Sequence, residues 1–161
     1  MNTISAQIVN KIWRQTADMS PFDAPKLVNK FAKRQPIIIA FLMAAGHDAF
    51  NQNERELLLY LGINIWKIMS QGEAPIPKIT EKMLEKCENN NYKLLDYLDG
   101  ETAAGYQRAI ELIFENYHQT EILKYVVEAL FEENDDDVNI RDNMKGLMML
   151  HLKTVLDCFD S

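Results

Sequence analysis

The sequence predicts an all-α protein: a single domain over residues 1–161, an irregular bundle of about seven to eight helices around a central apolar helical hairpin at 36–70. Three observations point there. Leu (17) and Met (8) far outnumber Val (6) and Thr (6), a balance that favours helix over sheet. The helix breakers are few, with Gly 6 and Pro 5, and no proline follows Pro77. Apolar residues recur with a period near 3.6 along the chain.

The first helix is expected over 3–19, striped by Ile4, Ile8 and Ile12, and ended by Ser20-Pro21. The second covers 24–34, with Leu27, Val28 and Phe31 inward. Pro36 suits the first turn of a third helix at 36–46, which Gly46 closes. The fourth, 52–70, starts at Asn51 with Glu54 three residues on, the pattern of a reciprocal cap. The third and fourth helices are apolar nearly all round, so both are expected to be buried on every side, at the centre.

Residues 72–78, GEAPIPK, form the clearest loop. A fifth helix at 80–98 is weakened in its middle by Asn89, Asn90 and Asn91, which compete for the backbone. The sixth, 101–117, carries Tyr106, Ile110 and Ile113; the seventh, 120–133, carries Leu123, Val126 and Leu130. No Gly or Pro separates these two, so one long helix or two remain equal readings. Residues 134–139 are a loop. The eighth helix, 140–159, shows Met144, Met148, Leu152, Val155 and Phe159 on one face. Its methionine cluster suits either a core or an adaptable partner surface.

The composition excludes several classes. The longest stretch without Lys, Arg, Asp or Glu runs from Gln35 to His47, thirteen residues, whereas a membrane span needs roughly 18. The opening MNTISAQIVN lacks a basic start and an apolar block, so no secretory leader is expected. Cys87 and Cys158 lie far apart in sequence. Two free thiols in a cytoplasmic protein are the expectation.

Charge is divided unequally. Residues 1–80 hold nine basic and six acidic residues, a net of +3; residues 81–161 hold eight and eighteen, a net of −10. The steepest stretch, 96–137, sets twelve acids against Arg108 and Lys124. Lys26, Lys30, Lys33 and Arg34 recur on one face of the second helix. Solvated faces alone explain such a division, since net charge speaks first to solubility. The sharper reading is that the acidic half docks a basic protein, with Glu132, Glu133, Asp135, Asp136 and Asp137 as its densest part. Nucleic acid is disfavoured on a chain of net −7, because phosphate contact needs a concentrated positive surface.

Specific chemistry finds little support. A dinuclear metal site in a bundle needs two Glu-x-x-His pairs, and the chain has one, Glu115 with His118. Zinc spacings such as C-x-x-C are missing. Counting an EF-type loop from Asp135 puts Ile140 at its sixth position and Gly146 at its twelfth, where Gly and Glu are required. Those aspartates better complement the dipole of the following helix. Cys158 and His151 share a helix face seven residues apart, about 10.5 Å along the axis, too far for nucleophile and base. The two glycines of 100–105 lack the Lys and Ser/Thr of a phosphate loop. No metal or cofactor is expected.

Three functions remain open. One is a non-enzymatic interaction or regulatory protein using the acidic 96–137 surface or the C-terminal helix. Another is a ligand-binding protein or enzyme with a pocket between helices, lined by His47, Asp48, Glu54, Glu115 and His118. The third is a self-associating helical protein forming a homodimer.

Overall fold

A computed structural model describes residues 2–44, 48–132 and 138–161, without the side chain of Tyr106. Among the described residues there are eight helices and no strand: α1 (Ala6–Ala17), α2 (Asp23–Arg34), α3 (Pro36–Ala44), α4 (Gln52–Met69), α5 (Glu81–Asp99), α6 (Ala103–Asn116), α7 (Thr120–Phe131) and α8 (Asp142–Phe159). None of these helices is long and apolar enough to cross a membrane. The expected closure of α3 by Gly46 lies outside the described residues.

Local chemistry accounts for the helix starts. Ser5, Thr80 and Thr102 each accept a hydrogen bond from the backbone N–H three residues on, satisfying a donor the helix cannot. Asn51 and Glu54 form the full reciprocal cap that their spacing predicts. α3 begins on Pro36.

Two ambiguities of the sequence are resolved. α5 runs unbroken through its asparagines. Asn91 is buried and spends its amide across the helix seam, on the Thr154 hydroxyl (2.9 Å) and Asp157 (3.0 Å), rather than on its own backbone. α6 and α7 are separate helices, and Tyr117 between them is extended. Tertiary bonds hold that break. The Tyr117 hydroxyl donates to Asp157 at 2.5 Å. The buried Gln119 donates to Asn2 O and Asp160, and accepts from Ile4 N.

The centre belongs to α4 and α8. α4 packs against α1, α3 and α8, and α8 also covers α5 and α7. Leu58, Leu61, Ile65 and Ile68 from α4 meet Met148, Leu152, Val155 and Phe159 from α8 in one continuous core. α3 lies beside α4 and buries Ile38 and Leu42. A side chain at Gly62 would collide with Leu42, so glycine there permits the close approach. The outer side of α3 is open, with Met43 62% exposed. Burial of this helix on every side is therefore not observed. A nine-residue helix at the flank of α4 has neighbours on only part of its circumference.

α5 and α8 are antiparallel. Asn91 meets Thr154, and one turn away on each helix the Cys87 and Cys158 thiols are neighbours. Both cysteines are free thiols.

Candidate functional site

Among the described residues, those expected to line an inter-helix pocket do not converge. Glu54 is fully buried, where desolvation alone would raise its pKa. The Arg141 side chain and the backbone N–H groups of Asn51 and Arg141 outweigh that and hold its carboxyl below the ordinary value. Arg141 Nη2 lies 2.6 Å from Glu54 Oε1 and donates also to Ala49 O. This pair fastens the start of α8 to the start of α4. His118 binds Asp160 through Nδ1 at 2.8 Å. Glu115 and Asp48 are exposed. None of the five grooves described on this surface is lined by Asp48, Glu54, Glu115 or His118. His47 lies outside the described residues. Among the described residues no three His, Cys, Asp or Glu side chains are grouped to hold a metal ion.

Of the acidic candidates, Glu133, Asp135, Asp136 and Asp137 also lie outside the described residues, while Glu132 is exposed at the end of α7. The C-terminal helix spends its apolar side on the core, with Met148 fully buried and Met144 and Met149 packed against it. His151 is a core residue, edge-on to Phe41 and Phe50 at 5.3 and 5.9 Å between ring centres. Burial lowers its pKa and favours the neutral ring.

Polar side chains do gather along the α5–α8 seam. Lys153 Nζ donates to Asn91 Oδ1 (2.7 Å) and Asp157 Oδ2 (2.9 Å), and it stands over the Tyr117 ring. Burial, then the charge and hydrogen bond of Asp157, push the Tyr117 hydroxyl far up from its usual pKa. Burial and the neighbouring Cys87 raise that of Cys158. None of the five grooves reaches this cluster's Asn91, Tyr117, Lys153 or Asp157. Its donors and acceptors satisfy one another and set the helix register.

The largest of the five grooves, about 950 Å³, lies between α1, α4 and α7. Its floor is apolar: Val9 and Trp13 from α1, Leu57 and Tyr60 from α4, Tyr125 and Phe131 from α7. Tyr60 and Phe131 are 37% and 56% exposed. Trp13 and Tyr125 lie nearly parallel, 6.5 Å between ring centres. Behind them the fully buried Asn64 donates to the Tyr125 hydroxyl at 2.8 Å. Burial raises the pKa of that hydroxyl, with the Asn64 bond acting the other way. The rim carries Glu121, Glu128 and Glu132 against Lys124, which pairs with Glu121 at 3.4 Å.

Trp13 packs against the core, whereas Tyr60 and Phe131 are exposed. The acids of the rim were readable as part of the acid-rich 96–137 stretch, but Trp13 and Tyr60 lie in the basic half of the chain and join them only through the fold. No family model matches the chain, and no curated protein or solved structure matches it at a significant level.

Proposed function

We propose that this protein is a non-enzymatic helical interaction domain that seats an amphipathic helix of a partner protein in the α1/α4/α7 groove. The partner helix lays its apolar face on Trp13, Tyr60 and Tyr125. Lys or Arg at its edges meet Glu121, Glu128 and Glu132. The observation that carries this reading is an open aromatic floor with a net acidic rim. Helix-in-groove binding uses such a surface, with anchors spaced at i, i+3, i+4 and i+7. The aromatic residues supply contact area, and the rim supplies orientation and on-rate. The two unjoined thiols favour a reducing, cytoplasmic setting for this encounter.

The test is titration with a synthetic helical peptide of about five turns, built of Leu on one face and Lys on the other. Tyr60→Lys and Glu128→Lys are each expected to weaken its binding about tenfold, roughly 1.4 kcal/mol, while the thermal midpoint holds. A peptide of the same composition with its periodicity scrambled is expected to bind worse. Equal binding of the scrambled peptide, or indifference to both substitutions, contradicts the proposal. Sedimentation of the free protein separates docking of a partner from self-association through the same groove.

A further inference from the structure

A second groove carries the opposite charge. It lies between α2, the end of α4 and the 75–78 segment, with a volume of about 570 Å³. Five cations line it: Lys30, Lys33 and Arg34 from α2, Lys67 from α4, and Lys78 from the loop. No acidic residue is among its lining residues. Among the described residues none of the five cations is paired with a carboxylate. This concentration stands on a chain of net charge −7.

The groove is held in shape by a buried amide. Gln35 is 2% exposed. Its Nε2 donates to Pro77 O at 2.9 Å and its Oε1 accepts from Ile79 N at 3.0 Å. That clamp brackets Lys78 and fixes it opposite the cations of α2. Trp66, Leu27 and Ile76 add an apolar wall.

Helix ends account for part of the pattern. Lys33, Arg34 and Lys67 sit in the last turns of α2 and α4, where cations complement the negative end of the dipole. Two such ends amount to about one negative charge in all, against five full positive charges. The field in the groove is therefore positive. Lys30 and Lys78, outside those last turns, are not explained by either helix end.

We propose that this groove binds a small organic phosphate carrying two or more phosphoryl groups. Its volume falls within the range of about 300–1,000 Å³ typical of small-ligand sites. Arg34 offers the planar fork that matches phosphate oxygens, and the lysines act as point charges around it. The apolar wall takes the organic part. An anion also relieves the mutual repulsion of the five cations, so binding stabilises the fold.

The experiment uses the full chain with Trp13→Phe, which leaves Trp66 in the groove wall as its one tryptophan. Inorganic pyrophosphate, adenosine diphosphate and a short poly-glutamate peptide are titrated by calorimetry and Trp66 emission. Pyrophosphate is expected to bind, to raise the thermal midpoint and to weaken steeply with salt; adenosine diphosphate is expected to bind more tightly. Lys67→Glu combined with Lys78→Glu, both solvent-facing changes, is expected to weaken both phosphates at least about tenfold with unchanged helical circular dichroism. Absence of phosphate binding, indifference to the double substitution, or tighter binding of poly-glutamate overturns the proposal. If pyrophosphate and adenosine diphosphate bind equally, the organic part is overturned.

Discussion

The α1/α4/α7 groove and the α2/α4/75–78 groove share one helix and differ in what they offer. The first takes Leu57 and Tyr60 from the first half of α4; the second takes Trp66 and Lys67 from its end. The first presents aromatic area with a few acids at its edge. The second presents five cations and a smaller apolar wall. Contact in the first is governed chiefly by apolar area, at about 25 cal/mol per Å² removed from water, and yields to salt only through its acidic rim. Contact in the second is governed by charge and yields strongly to salt. Both are backed by one buried side-chain amide: Asn64 holds the Tyr125 hydroxyl, and Gln35 holds the 77–79 backbone. The division of charge along the chain thus becomes a division of chemistry across the surface.

The largest break to this comparison acts on α4 itself. Glu54→Ala removes the reciprocal cap and the bonds from Arg141. A cap contributes about 1 kcal/mol and hydrogen bonds to a charged group about 1.5–3, so urea unfolding is expected to show a loss of about 3 kcal/mol. The folded carboxyl titrates below its ordinary value of 4.5. Its stabilisation is therefore full above that value and is lost as pH falls through the folded one. Glu54→Gln is expected to flatten the acid limb of stability below about pH 4.5.

The next two changes break one groove each. Gln35→Ala leaves Pro77 O and Ile79 N without their partner, and the second of these sits at a buried residue. The expected cost is about 2 kcal/mol, with pyrophosphate binding lost and peptide docking kept. Tyr125→Phe removes the partner of Asn64 Nδ2, while Asn64 Oδ1 already has none among the described residues. The expected cost is about 1–2 kcal/mol, with the reverse pattern in binding. Loss of both functions in either variant denies that the grooves are independent.

Smaller effects sharpen the picture. His151 is buried neutral, its folded pKa below 6.5. The unfolded chain takes the proton more readily, so stability is full above 6.5 and declines as pH falls toward the folded value. His151→Leu is expected to remove a slope of at most about 1.4 kcal/mol per pH unit in that window, read by urea unfolding across it. Arg108→Ala breaks an exposed pair with Glu111 at 3.5 Å. Exposed pairs contribute about 0.2–1 kcal/mol, so a thermal scan is expected to show almost no shift, and neither groove responds.

Much of the fold was legible because its signals are local. The Asn51–Glu54 cap, the Pro36 start and the helical periods need only residues a turn apart. The relative depth of α3 and α4 was not legible. Hydropathy makes both apolar, but only α4 is flanked by α1, α3 and α8; Met43 is left outside. Asn91 reads as a helix breaker until α8 supplies Thr154 and Asp157. The two thiols meet because α5 and α8 run antiparallel over a separation no local pattern encodes. The cationic groove was half visible as Lys30, Lys33 and Arg34 on one face. Lys67 and Lys78 join it only through the fold and the Gln35 clamp, which spans 42 residues to Pro77. The pocket inferred from His47, Asp48, Glu54, Glu115 and His118 paired residues by chemical type. In space Glu54 is held by Arg141 and His118 by Asp160.

The chain has two tryptophans, and each lines one groove: Trp13 the acid-rimmed one, Trp66 the cationic one. Trp66→Phe and Trp13→Phe therefore yield two reporters on one fold. The most direct test titrates both variants with the Leu/Lys helical peptide at low and at physiological salt. The account requires emission at Trp13 to change with saturation at both salts while Trp66 stays silent. A response from Trp66, or none from Trp13, contradicts the assignment of helix docking to the α1/α4/α7 groove.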